Sequence, residues 1–90
     1  MGNNTCSGQI QGPFKANQEL FNLIQHNAER PIMYIKHIGI QAPQGTVLSL
    51  NTNTIEIGLT GIYENDNIAL RSIFFYTDVA EDVIIDYIIV

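Results

Sequence analysis

Charged residues, and basic residues above all, are scarce in this sequence. Only 14% of its 90 residues are charged, and four basic residues stand against nine acidic ones, for a net charge of −5. An ordinary globular domain carries about 25% charged residues. Nucleic acid requires a basic protein face that neutralises its phosphates, so we expect no nucleic-acid partner. Surface charge keeps free monomers soluble, and its scarcity favours a surface that neighbouring subunits partly cover.

Cysteine is nearly absent as well, since Cys6 is the only one. No disulfide can form within the chain, and nothing requires an oxidising compartment. No stretch approaches the roughly 20 apolar residues of a membrane-spanning helix, so we expect no membrane partner. Residues 1–11 also lack the basic start and the apolar run that mark a secretory signal.

Sequence motifs for catalysis and metal binding are missing. The two histidines, His26 and His37, do not stand at a metal-binding spacing, and the acidic residues that cluster do so in two short turns, at 64–66 and 78–82. The sequence contains no EF-hand loop, zinc motif, phosphate-binding loop or nucleophile elbow. We therefore predict no catalytic residue, no metal, no cofactor and no enzymatic activity.

The first third of the chain predicts a polar arm followed by a helix. Residues 1–16 are polar and rich in glycine and asparagine, a composition typical of a segment that is disordered alone in water. Residues 17–30 have an amphipathic helical pattern, with Asn17 as the N-cap and Pro31 as the residue that ends it. A helix of about three turns is marginal by itself. Its apolar stripe must therefore pack on the rest of the chain or on another subunit.

Residues 32–90 form a series of short β-branched segments separated by turn residues. In the first of them, simple alternation places Ile35 and His37 on one face and Ile38 on the other. Alternation is clearest over residues 55–60, and the glycines in that region indicate a bend.

These patterns predict a mainly β fold. We expect a small antiparallel β-sandwich or barrel-like domain of five to seven strands at residues 32–90. The short α-helix of residues 17–30 and the polar arm of residues 1–16 would precede it.

Two segments near the carboxyl end, 72–76 and 83–90, are apolar on both faces. One face can join the core of the domain, whereas the other needs the helix or another chain as a cover. We therefore predict assembly with other copies or other proteins through the helix stripe and these two segments. The candidate contact residues are Leu20, Phe21, Leu23, Ile24, Phe74, Phe75, Tyr87 and Ile88.

Four strings carry a resemblance to a known family: IGIQAPQGT at 38–46, IEIGLTGIYE at 55–64, SIFF at 72–75 and IIDY at 84–87. Together they resemble a small β domain found in virion structural proteins of tailed bacteriophages and prophages of Gram-positive bacteria. The resemblance covers about residues 34–90, and none of the strings marks a catalytic activity.

The resemblance implies a non-enzymatic minor structural protein of a virion, such as a capsid decoration, neck or tail and baseplate accessory subunit. Its partners would be other virion proteins and further copies of itself in a symmetric assembly. It would be found in the virion, after assembly in the host bacterial cytoplasm. The resemblance does not choose between head, neck and tail.

A carbohydrate- or host-surface-binding β module is the alternative. Such a module would use its aromatic residues and the turns at 43–45 and 64–67. The aromatic residues in question are Tyr34, Tyr63, Tyr76, Tyr87, Phe74 and Phe75.

Overall fold

The computed structural model describes residues 6–28, 32 and 34–90, and within them the fold is mainly β, as predicted. The elements are β1 Cys6–Gln11, α1 Phe21–Ala28, β2 Ile35–Gln41, β3 Val47–Leu50, β4 Asn53–Glu56, β5 Ile62–Ile68, β6 Ile73–Phe75 and β7 Ile84–Ile89. They form two antiparallel sheets, a larger one with strand order β1-β7-β2-β5 and a smaller one with order β4-β3-β6.

One apolar core lies between the two sheets, so the arrangement is sandwich-like. The larger sheet contributes Ile40 and Ile85 to this core, and the smaller sheet contributes Leu48 and Phe75. Phe14 stacks on Phe75 with ring centroids 6.2 Å apart. Ninety residues thus bury a continuous core without help from another chain.

A register shift in β2 changes which of its side chains are buried. The shift falls between Ile35 and His37 in the pairing with β7, and it places both Ile35 and Ile38 in the core while His37 stays half-exposed. The prediction that Ile35 and Ile38 lie on opposite faces is therefore wrong. An irregularity of this kind adds a residue to one strand and breaks the two-residue alternation.

The amino-terminal segment also differs from the prediction of a disordered arm. Residues 6–11 form β1, which pairs antiparallel with β7 from Cys6 opposite Ile89 to Gln11 opposite Ile84. The described part of the sandwich therefore begins at residue 6 rather than at 32, while residues 1–5 lie outside the described residues. Gly8 makes the pairing possible, because a Cβ at this position would lie 2.6 Å from the hydroxyl oxygen of Tyr87.

The helix begins at Phe21, later than the predicted start at residue 17. Asn17 is not its cap, since Asn17 has φ 63° and donates its N–H to the Phe75 carbonyl. Glu19 takes the capping role, because its Oε2 accepts the Phe21 N–H at 3.2 Å. The predicted end at residues 29–31 lies outside the described residues.

Candidate functional site

The strand edges are where a β-sandwich can bind another chain, because the outermost strand of a sheet has backbone N–H and C=O groups with no strand beside them. The two sheets have four such edges, formed by β1, β5, β4 and β6. Their hydrogen bonds and charges distinguish them as candidate interfaces.

The β6 edge is closed by the segment that precedes α1. The Asn17 N–H donates to the Phe75 carbonyl and the Leu20 N–H to the Ile73 carbonyl, both at 2.8 Å. Glu19 completes this cover by accepting the Ile73 N–H at 2.7 Å and the Ser72 hydroxyl at 2.6 Å. Both outward backbone groups of Ile73 and the carbonyl of Phe75 are thus occupied within the chain.

The β5 edge is capped by its own side chains. The Ala42 N–H donates to the Gly61 carbonyl, so the backbone groups of the odd-numbered β5 residues face β2. The backbone groups of Ile62, Glu64 and Asp66 therefore face away from it. Thr60 Oγ1 bonds to both the N–H and the carbonyl of Ile62, and Asn65 Oδ1 accepts the Asp66 N–H at 2.8 Å. Acidic side chains on an edge also discourage strand addition.

The β4 edge is short and charged. The Ile57 N–H donates to the Thr46 carbonyl, which leaves only Thr54 and Glu56 of β4 with outward backbone groups. Glu56 carries a charge, and two residues are too few for a stable strand pairing. This edge is a weak candidate.

The β1 edge has no hydrogen-bonded cover among the described residues, although α1 packs against this strand. The Gly12 N–H donates to the Val83 carbonyl at 2.8 Å. The backbone groups of the even-numbered residues of this strand therefore bond to β7, and those of the odd-numbered residues point away from β7. Ser7, Gln9 and Gln11 are exposed, and β1 contains no charged residue. No turn or side-chain hydrogen bond in the described part of the chain uses their outward backbone groups. Of the strands described, β1 alone combines length, neutrality and free outward groups.

A histidine with acidic neighbours lies on the outer face of the larger sheet, which is the face turned away from the core. His37 Nδ1 lies 2.6 Å from Asp66 Oδ1, and its Nε2 lies 3.7 Å from Glu64 Oε2. The hydrogen bond to Asp66 raises the pKa of His37, and the charges of Glu64 and Asp86 add to this effect, against partial burial, which lowers it.

This histidine cluster joins β2 to β5 through side-chain contacts. Ser7 lies two strands from His37, with Ile88 of β7 between them, so it is not placed to act as a nucleophile activated by the histidine. Among the residues described, no group of three or more His, Cys, Asp or Glu side chains could hold a metal ion.

Half of the predicted contact residues belong to the core. Leu20, Ile24 and Phe75 are completely buried, and Tyr87 is 4% exposed. Their burial within the chain leaves them no surface to offer a partner, which corrects the assumption that so short a chain could not enclose them.

The other predicted contact residues keep some exposed surface. Leu23 is 37% exposed, and Phe21, Phe74 and Ile88 are half-buried. Ile88 lies between Ser7 and His37 on the outer face, so neighbouring strands of the same sheet cover it in part. The four residues lie on different elements, α1, β6 and β7, and do not define one surface by themselves.

The aromatic residues give little support to a flat sugar-binding platform. Phe74 and Tyr76 are in contact with ring centroids 5.5 Å apart, but their planes are inclined at 80°. Tyr87 and Phe75 are buried. The exposed apolar side chains that the sequence did not single out are Leu59, 85% exposed, and Ile62, 53% exposed, at and after the turn that follows β4.

Comparison with known proteins gives no relative: no protein-family model, no curated protein and no solved structure matches this chain. Within the described residues, no helix is both long enough and apolar enough to cross a membrane.

Proposed function

We propose that this chain is a non-enzymatic structural subunit that works by binding other protein chains at the β1 edge. The observation that carries the proposal is the difference between the edges. Among the described residues, β6 is bonded to the segment before α1, β5 is acidic and partly capped by its own side chains, and β4 is short, whereas no hydrogen bond uses the outward backbone groups of Ser7, Gln9 and Gln11 of β1.

A free edge favours association for a physical reason. Backbone N–H and C=O groups along an exposed strand form a ready template for a further strand, and main-chain hydrogen bonds then supply the affinity. Proteins that remain monomeric protect their edges with charge, bulges or covering segments. Within the described residues, β5 carries acidic side chains and β6 has a hydrogen-bonded covering segment, whereas β1 has neither charge nor a hydrogen-bonded cover and is contacted by α1.

The resemblance of residues 34–90 to phage virion domains suggests where this subunit acts. We propose that it is a minor structural protein of a tailed-bacteriophage particle, bound to other virion proteins in several copies. The low share of charged residues, 14%, supports a chain that functions within an assembly rather than as a free monomer.

Particle analysis tests the proposed role. Particles made from the genome that encodes this chain would be purified by density gradient and examined by quantitative mass spectrometry for the chain. We expect it at a fixed stoichiometry relative to the major virion proteins. Deleting its coding sequence should leave particles lacking it and defective in assembly or stability. Particles that form and infect normally without the chain, and never contain it, would contradict the proposal.

Glycan binding separates the alternative from the proposed role. The purified chain would be tested on a glycan array beside a Tyr76→Ala variant, since Tyr76 is the most exposed aromatic residue of those described. We expect no sugar preference. Binding to a defined glycan that the variant loses would favour the carbohydrate-binding module instead.

A further inference from the structure

We infer that the strand added at the β1 edge is β1 of a second copy, running antiparallel to the first, with a two-fold axis at Gln9. The inference rests on the proposed function and adds the identity of a partner and the register of the pairing. The larger sheets of two copies would then join into one continuous sheet across the axis.

The backbone directions in the larger sheet identify the outward groups of β1. The Gly12 N–H donates to the Val83 carbonyl, and on the other side of β7 the Val90 N–H donates to the Tyr34 carbonyl. These two bonds show that the backbone groups of odd-numbered β7 residues bond to β1 and those of even-numbered β7 residues bond to β2. The outward groups of β1 therefore belong to Ser7, Gln9 and Gln11.

These outward groups are complementary to themselves. In an antiparallel pair centred on Gln9, Ser7 of each copy lies opposite Gln11 of the other, and the two Gln9 residues face each other. Opposed residues of this type exchange both backbone hydrogen bonds. Centring the axis on Gly8 or Ile10 would bring only two of the three outward residues of β1 opposite each other, whereas the axis at Gln9 pairs all three.

The side chains fit the same register. Gln9 carries both a donor and an acceptor, so the amides of two opposed Gln9 residues can bond reciprocally. The Gln11 Nε2 already donates to the Glu81 carbonyl at 2.7 Å, which leaves its Oε1 free to accept the hydroxyl of Ser7 from the other copy. Polar pairs of this kind on one face stabilise strand pairing modestly.

Charge permits a second copy at β1 and disfavours one at β5. The acidic residue nearest the centre of β1 is Asp86, opposite Gln9 on β7. Across the joined sheet the two Asp86 residues would be three strand spacings apart, about 14 Å, which exceeds the screening length of about 8 Å at physiological ionic strength. Pairing β5 with itself about Asn65 would instead place Glu64 of each copy about 5 Å from Asp66 of the other.

The dimer should be weak, because one short strand pair buries much less surface than the roughly 1,200–2,000 Å² of a stable interface. We expect a concentration-dependent equilibrium between a 10.1 kDa monomer and a species of twice that mass. In an assembly, where many copies are held close together, such a contact is strengthened by the high local concentration.

Cross-linking by a short bis-maleimide tests the register. In the variant Cys6→Ser with Gln9→Cys, the two thiols belong to directly opposed residues, with Cα atoms about 5.5 Å apart, and we expect efficient cross-linking of two chains. The native chain is an internal control, because its two Cys6 residues would be six residues apart along the strand direction, about 20 Å. Asn53→Cys in the same Cys6→Ser background places the thiol on the exposed β4 strand as a second control.

Two substitutions at the axis test the energetics by sedimentation equilibrium. Gln9→Pro removes an N–H that points away from β7 and leaves the β1–β7 bonds intact. Gln9→Lys would place the positive charges of the two copies opposite each other at the axis. We expect either one to raise the dimer dissociation constant about tenfold or more. Gln44→Lys, in an exposed turn, should leave it unchanged. Circular dichroism would establish that each variant is folded.

The possible outcomes separate the inference from the proposed function. Selective cross-linking at position 9, together with a dimer dissociation constant that Gln9→Pro and Gln9→Lys raise, supports the register. A chain that is monomeric at millimolar concentration, or that cross-links equally through Cys6 or position 53, overturns the self-pairing. The particle analysis would still decide whether the chain is a virion subunit that binds a different protein.

Discussion

Single residues in this fold have consequences that composition does not reveal, and Gly8 is an example. The ring of Tyr87 lies over Gly8, so the smallest residue in β1 accommodates one of the largest side chains in the core. His37 is a second example, because its pKa is raised by three acidic residues that the fold brings to it from β5 and β7, on either side of β2.

Replacing Gly8 with alanine should destabilise the protein, because the new Cβ would lie 2.6 Å from the Tyr87 hydroxyl oxygen. We expect the free energy of unfolding to fall by about 1–3 kcal/mol. Gly58→Ala is the matched control, since a Cβ there meets nothing within 4 Å. Urea denaturation measures both variants, and equal stabilities for the two would contradict the close packing at Gly8.

His37 should make stability depend on pH. Its pKa is raised in the folded protein above the ordinary value of 6.5, so its contribution is fully present below pH 6.5 and is lost as pH rises through the folded pKa. His37→Gln should therefore lower the free energy of unfolding at pH 5.5, with a smaller difference at pH 8.5. Urea titrations at both pH values measure this difference.

The Asp66→Asn background serves as the control for His37. Without the Asp66 carboxylate, the main cause of the raised pKa is gone, and His37→Gln should have a weaker effect at low pH. An equal loss of stability at both pH values, in either background, would show that His37 acts through packing alone.

The elements that the sequence predicted well are those with a strong apolar pattern. Segments 72–76 and 83–90 contain β6 and β7, and their β-branched and aromatic residues suit strands that contribute to a core. Strand β1 was missed because Ser7, Gly8 and Gln9 resemble a solvated arm, and only the pairing with β7 makes them a strand. Local composition does not contain that long-range partner.

The candidate interface was equally hard to predict. Whether an N–H points to a neighbour or to solvent depends on strand order and register, which place β1 at an edge and direct Gln9 outward. The helix start also depended on tertiary structure, because residues 17–20 bond to β6 instead of beginning the helix. Glu19 holds α1 and β6 together through hydrogen bonds to both.

Glu19 should therefore matter more than other glutamates. Its carboxylate accepts hydrogen bonds from Phe21, Ser72 and Ile73, and Glu19→Ala would leave these partly buried donors without an acceptor. We expect a loss of about 2–3 kcal/mol in the free energy of unfolding. Glu56→Ala, on the exposed face of β4, is the control and should change stability by less than about 0.5 kcal/mol. Indistinguishable effects in a chemical melt would refute the role of Glu19.

At the scale of the whole molecule, the chain encloses its own core, and the binding that we propose lies at a sheet edge. The sequence suggested the reverse, with the apolar carboxyl-terminal strands and the helix stripe as interfaces. The structure instead buries Phe75, Leu20 and Ile24 completely. Sheet-on-sheet packing with a helix against it hides more apolar surface than the pattern of any one segment indicates.

Phe75 and Phe74 provide a matched pair for this distinction. Phe75→Ala should cost about 3–5 kcal/mol, because its ring is completely buried and stacks on Phe14. Phe74→Ala should cost less than half as much, since Phe74 is only half-buried. Thermal and urea unfolding of the monomer at low concentration measure both. Similar losses for the two would contradict the assignment of Phe75 alone to the core.

Amide hydrogen exchange, measured residue by residue by NMR at low and high protein concentration, tests the open β1 edge most directly. At low concentration the amides of Gly8 and Ile10 should be protected by their bonds to β7, whereas those of Ser7, Gln9 and Gln11 should exchange rapidly. At high concentration the three outward amides should gain protection as a second copy pairs with them. Outward amides that are already protected at low concentration, or that remain unprotected at every concentration, would contradict the account.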